Sequence, residues 1–170
     1  KERNENTAFF LEVENWCAEQ LDESDRNFVR TFQPTVALEL EGLNLLAYHG
    51  SPKSYFDQIV ATTPEETLNG YFENAKANLY AGGHTHEQFV RRYFQARVMN
   101  PGSVGLPYIL KRDSTEKRPL FAQYAVPETT SEVNITFKRI PYEFEKLAKA
   151  VRASEMPYAE KWLADFELTP

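Results

Sequence analysis

Two short apolar runs, Leu45-Leu46-Ala47-Tyr48 and Asn78-Leu79-Tyr80-Ala81, stand either side of a helical segment, and each runs straight into a turn that carries histidine. Runs this brief and this apolar read as strands covered on both faces. The segment between them opens at Thr63-Pro64-Glu65-Glu66, with a threonine to cap, a proline at the first helical position and a glutamate placed to close a capping box. Leu68, Tyr71, Phe72 and Ala75 form its apolar stripe. Strand, helix and strand in that order predict a parallel crossover, and hence an α/β domain. Both strands then deliver their following turns to one edge of the sheet, the carboxyl edge, where open α/β sheets bind ligands.

The flanks extend this pattern. Phe9, Val13, Trp16, Cys17 and Leu21 recur at helical spacing, with Asn6 or Thr7 as the cap. A shorter helix starts where Asp22 accepts the amide of Asp25; it carries Phe28, Val29 and Phe32 and closes at Pro34. Val36, Leu38 and Leu40 alternate with polar or small neighbours, the period of a half-buried strand, and Glu41-Gly42-Leu43-Asn44 makes a tight connection to the next. Strands are expected at Phe89-Val90-Arg91-Arg92-Tyr93, at Ala96-Arg97-Val98-Met99, over 120–126 and over 132–140, with the charged stretch 112–118 as an exposed hairpin loop. Two helices close the chain, one after Pro141 with Phe144, Leu147, Ala148 and Val151 inward, one after Pro157 with Tyr158, Trp162 and Phe166. No internal repeat or linker divides residues 1–170, so one domain is expected.

Hydrophobic residues at 42% suffice for a core, while a formal charge of −6 makes a broad grip on nucleic acid unfavourable. Arg91-Arg92 and Lys111-Arg112 read as solvated faces. No apolar run approaches the roughly 20 residues that span a bilayer. Cys17 is the only cysteine, which excludes an internal disulfide and favours a reducing, cytoplasmic setting; its place on the apolar helical face predicts a buried, inert thiol.

All three histidines fall in the two turns, in Tyr48-His49-Gly50-Ser51-Pro52 and Gly82-Gly83-His84-Thr85-His86. Neutral imidazole is the commonest protein ligand for transition metals. Glycines just after a strand let the backbone turn sharply and approach a ligand closely. Three imidazoles at the ends of neighbouring parallel strands therefore predict a metal site at His49, His84 and His86.

These two segments, followed by Asn100-Pro101-Gly102-Ser103, resemble in order and separation the calcineurin-like metallophosphoesterase superfamily, with the small bacterial phosphodiesterases of the YfcE type as the nearest branch. The resemblance is firm over residues 43–104 and looser on the flanks. It implies a four-layer α/β/β/α sandwich with two divalent transition-metal ions at the strand ends: manganese foremost, iron, zinc or nickel as alternatives. His49 and His84 would ligate one ion and His86 the other, with Asn100, Gly102 and Ser103 shaping the floor of the site. A hydroxide shared by both ions would attack a small phosphodiester or nucleotide substrate.

The family's upstream Asp-x-His, Gly-Asp and Gly-Asn-His segments do not occur in this sequence. The chain is therefore expected to be the C-terminal portion of such an enzyme, lacking its N-terminal part, holding half of the ligands and inactive alone. Beside the hydrolase stands another expectation, a non-catalytic protein-binding scaffold, the use that retromer-subunit relatives make of this fold. Tyr55, Phe56, Arg91 and Tyr108 are candidates for a pocket border, with packing or plain surface as the competing reading.

Overall fold

The computed structural model describes residues 5–40, 42–107, 109–110, 116–129 and 133–167. Helices α1 (Glu5–Glu19) and α2 (Glu23–Arg30) lead into strands β1 (Thr35–Leu40) and β2 (Leu43–Tyr48). Then come α3 (Glu65–Tyr71), β3 (Leu79–Ala81), β4 (Phe89–Tyr93) and β5 (Ala96–Asn100). The rest is β6 (Ile109–Leu110), β7 (Glu116–Pro119), β8 (Phe121–Thr129), β9 (Val133–Pro141), α4 (Phe144–Ala153), α5 (Ala159–Leu163) and β10 (Phe166–Glu167).

The expected crossover is present. A five-stranded sheet runs in the order β1-β2-β3-β5-β4, with β2, β3 and β5 parallel and β1 and β4 antiparallel at its two edges. One face packs under α3, where Leu68 and Phe72 meet Tyr48, Tyr80, Tyr93 and Val98. On the other, Leu43, Leu79 and Met99 pack against Ala125, Val133 and Ile135 of the antiparallel β8–β9 hairpin. Helix, sheet and hairpin thus stack as layers around two apolar clusters. Alternation along β9, with Val133, Ile135 and Phe137 turned inward, keeps that hairpin one-sided. Among the described residues no helix is long and apolar enough to cross a membrane.

Several local expectations hold, and others do not. Asp22 caps α2 and Asp25 returns the bond to its amide, a reciprocal box. At α3 that box does not form: the Thr63 hydroxyl accepts from the Val60 amide behind it and Pro64 takes the cap position. The helix start is held instead by Arg91, which donates to the carbonyls of Ala61 and Thr63 and so is not the free surface cation expected. The first helix begins at Glu5, so Asn6 and Thr7 lie within it. It docks through Phe9 onto Tyr158, ring centroids 5.3 Å apart, and leaves Cys17 exposed rather than buried.

Strand β1 has the expected alternation, yet Val36, Leu38 and Leu40 are exposed, because the hairpin's cluster does not extend over this edge strand. Residues 112–115 of the expected charged loop lie outside the described residues. Residues 116–119 form strand β7, in which Arg118 is buried under the Trp162 and Phe166 rings and pairs with Asp165. Lys111, Arg112 and Tyr108 also lie outside the described residues.

Candidate metal centre

The parallel register brings the three motif segments to one edge. Ala47 pairs with Ala81 and Ala81 with Met99, so His49, the Gly82-to-His86 turn and Asn100 all emerge beyond the same rung of the ladder. The Gly82 amide donates to the Met99 carbonyl at 2.9 Å and the Gly83 amide to the His49 carbonyl at 2.7 Å, prolonging the ladder into the loops.

The turn that presents His84 is strained, and not where the sequence suggested. Gly82 and Gly83 keep negative or extended backbone angles, while His84 (φ 61°) and His86 (φ 55°) take the left-handed region. The Thr85 amide donates to the Gly83 carbonyl at 2.7 Å, closing a three-residue γ-turn with His84 at its centre. Left-handed bulky residues cost about 1–3 kcal/mol each and persist where the surroundings over-determine them, commonly at functional sites. The glycines serve closeness instead. A methyl on Gly82 would sit 2.5 Å from the Tyr48 ring, and one on Gly83 would rest 3.7–3.8 Å from His49.

Asn100 does the over-determining. It is 1% exposed at the end of β5. Its Nδ2 donates to the Gly83 carbonyl at 2.8 Å and to the Thr85 hydroxyl at 3.0 Å, and its Oδ1 accepts the Gly102 amide at 2.8 Å. Gly102 has φ 85°, and a methyl there would strike Gln123, so the turn at residues 100–103 is fixed from both sides. The Ser103 hydroxyl accepts the Leu106 amide at 2.9 Å. The Leu106 carbonyl in turn meets His86 Nδ1 at 2.8 Å. A carbonyl only accepts, so neutral His86 carries its proton on Nδ1 and its lone pair on Nε2.

His84 Nδ1 and His49 Nε2 lie 3.2 Å apart, with ring centroids at 5.1 Å. Two metal–imidazole bonds of about 2.0–2.1 Å meeting near the tetrahedral angle put their nitrogens roughly 3.3 Å apart, so this pair fits two ligands of one ion. Burial, then the neighbouring charges of His84 and His86, push the His49 pKa below its ordinary value and favour the neutral form that a ligand needs. His86 is set apart by its tie to Leu106. Among the described residues no group of three or more histidine, cysteine, aspartate or glutamate side chains forms a ready cage.

Sequence reasoning did not reach two contributors: the Leu106 carbonyl, which leaves no residue-type signature, and the Ser51–Asp57 pair, in which the serine hydroxyl donates to the carboxylate at 2.5 Å. A serine two positions beyond a histidine and six before an aspartate carries no spacing rule that would flag it.

The calcineurin-like phosphoesterase superfamily domain matches residues 15–130. No curated protein matches the chain. Among solved structures, a hypothetical protein from Pyrococcus horikoshii OT3 superposes with a TM-score of 0.66 at 17% identity, over 85% of this chain and 55% of that one. A metallophosphoesterase from Sphaerobacter thermophilus gives 0.64 at 19% identity, over 89% and 64%. At such identities the likeness is one of fold, and the chain spans only 55% and 64% of the lengths of these two proteins. The layered α/β architecture is that of the metallophosphoesterase fold. With more than half of its length matched, the chain belongs to the calcineurin-like phosphoesterase superfamily.

Proposed function

We propose that this chain contributes the imidazole half of a two-ion centre that hydrolyses phosphodiesters, with His49 and His84 on one divalent ion and His86 on the other. The observation that carries the reading is the 3.2 Å approach of His84 Nδ1 to His49 Nε2. When bound, two such ions neutralise charge on a phosphoryl group and bring the pKa of water towards neutrality.

The chain's own residues supply preorganisation. His49 is held neutral, so its lone pair is available without losing a proton first. The Leu106 carbonyl fixes the His86 tautomer, and Asn100 clamps the γ-turn that aims His84. Ligands placed this way require little rearrangement when an ion arrives. Imidazole completed by oxygen donors suits manganese, iron, zinc or nickel, and we take manganese as the native ion. The reading requires further oxygen ligands beyond the three imidazoles. The exposed thiol of Cys17 supports a reducing compartment such as the cytoplasm.

Cobalt(II), a spectroscopic stand-in, tests the site directly. The chain should take up cobalt with the visible absorption of a nitrogen-ligated ion, and His84→Ala should abolish that band while the far-UV circular dichroism is unchanged. In a protein that also carries the further oxygen ligands, the same substitution should abolish metal-dependent hydrolysis of bis(para-nitrophenyl) phosphate. Equal cobalt uptake by His84→Ala would refute the assignment. A protein-binding scaffold is the second reading, favoured by the exposed apolar face of Val36, Leu38 and Leu40; a chain that takes up no metal decides for it.

A further inference from the structure

The loop that leaves His49 is folded tightly back beside it. The Ser51 hydroxyl donates to Asp57 at 2.5 Å and accepts the amides of Lys53 at 3.0 Å and Ser54 at 3.2 Å. The Ser51 amide closes the turn onto the Ser54 carbonyl at 2.8 Å, and the Phe56 amide donates to the Ser54 hydroxyl at 3.1 Å. The carbonyls of Ser54, Tyr55 and Asp57 crowd Gly50 so closely that a methyl there would lie 2.7–2.8 Å from all three. The backbone of Tyr55 is thereby pinned against the residue next to His49.

What this turn holds up is apolar. Tyr55 is 51% exposed and Phe56 is 84% exposed. Burying a phenylalanine side chain stabilises a fold, and Phe56 forgoes that gain. Single exposed apolar side chains need no explanation. Two consecutive aromatics, on a loop fixed by five hydrogen bonds and packed through its backbone against the residue after His49, are a different matter. A rigid aromatic offers a flat face at small entropic cost, and stacking accepts any planar heterocycle.

We infer that Tyr55 and Phe56 form a stacking platform for a flat ring of the substrate, so that the phosphate ester taken here is a nucleotide or a comparable heteroaromatic ester. The inference rests on the phosphoesterase reading. Its test compares adenosine monophosphate, ribose phosphate and inorganic phosphate as ligands of the cobalt-loaded chain, by calorimetry. Adenosine monophosphate should bind about tenfold more tightly than ribose phosphate, in line with the stacking contribution of one base. The double variant Tyr55→Ala/Phe56→Ala should lose that margin while keeping its cobalt uptake and its affinity for inorganic phosphate. Both side chains are exposed, so the fold survives their removal. Equal affinities in the parent chain, or a margin that survives the double substitution, overturn the platform and leave the phosphoesterase reading standing. Failure of the parent chain to take up cobalt overturns that reading and the platform with it.

Discussion

His84 Nδ1 stands 3.2 Å from His49 Nε2 although 35 positions separate the two residues in the chain. Only the parallel alignment of β2 with β3 closes that interval, because both strands must end at the same rung for their turns to meet. Two neutral imidazoles this close can share one proton in a hydrogen bond, or they can share an ion. The left-handed backbone at His84 is held by Asn100, whose side chain bonds the residues on either side of it.

That strain makes a prediction. His84→Ala keeps the left-handed angle without the ligand, whereas His84→Gly relieves it, the penalty for a residue with a Cβ being about 1–2 kcal/mol. Both variants should lose cobalt by more than the roughly 10–100-fold seen when a mere supporting contact is removed. The glycine variant should nonetheless be more stable than the alanine variant by about 1 kcal/mol in urea unfolding, after the entropic cost of glycine is subtracted. Equal stabilities would mean that the turn relaxes.

Acid should weaken the metal-free fold through His49. Its pKa in the folded chain is lowered, first by burial and then by the charges of His84 and His86. Just below the ordinary imidazole value of about 6.5, the unfolded chain therefore binds more protons than the folded one. The associated stability is present above that pH and is lost as pH falls through the lowered folded value. Thermal melts of the metal-free chain should shift downward on acidification, and His49→Asn should flatten that part of the profile. Cobalt affinity should fall over the same range, by up to about tenfold per pH unit for each ligand that must shed a proton.

The route from sequence to site was open where periodicity and caps speak. The apolar run ending at Tyr48 and the run ending at Ala81 announced two buried strands, and Asp22 announced its helix. It was closed where long-range packing decides. Thr63 reads as a cap, yet Arg91 from β4 occupies the carbonyls there and the hydroxyl turns back to Val60. Arg118 reads as a surface charge until Trp162, Phe166 and Asp165 from the chain's end surround it. The Gly82-Gly83 pair points to a turn at the glycines, whereas the left-handed residues are the two histidines after them. A bond to Asn100 from another strand sets that choice, and no local rule contains it.

Tyr48 supplies a contrasting case, a polar atom without a role in the turn. Its hydroxyl is the one buried side-chain polar atom among the described residues with no hydrogen-bond partner, and burial pushes its pKa upward, keeping it neutral. An unmade bond of this kind costs about 1–3 kcal/mol. Tyr48→Phe retains the ring against Phe72, centroids 5.8 Å apart, and should stabilise the chain by about 1 kcal/mol. Gly82→Ala should do the reverse, since the new methyl would lie 2.5 Å from that same ring and drive it off its packing. Urea midpoints of the two variants, moving in opposite directions, check both statements.

Asn100 is where stability and function should separate. Replacing it by alanine strands the Gly102 amide and removes a partner from the Thr85 hydroxyl, while the Gly83 carbonyl keeps its bond from the Thr85 amide. Loss of those bonds in a site 1% exposed should cost about 2–3 kcal/mol. Asn100→Asp should be worse. The new carboxylate oxygen faces the Gly83 carbonyl, which cannot donate, and a buried charge left chiefly to the Gly102 amide is expensive. If Asn100 only holds the sheet end together, the alanine variant will melt earlier yet bind cobalt as the parent does at temperatures where both are folded. If it holds the γ-turn that aims His84, cobalt affinity will fall by about tenfold under those same conditions. The second outcome is expected, because the two bonds from Nδ2 end on the carbonyl and hydroxyl of the residues either side of His84.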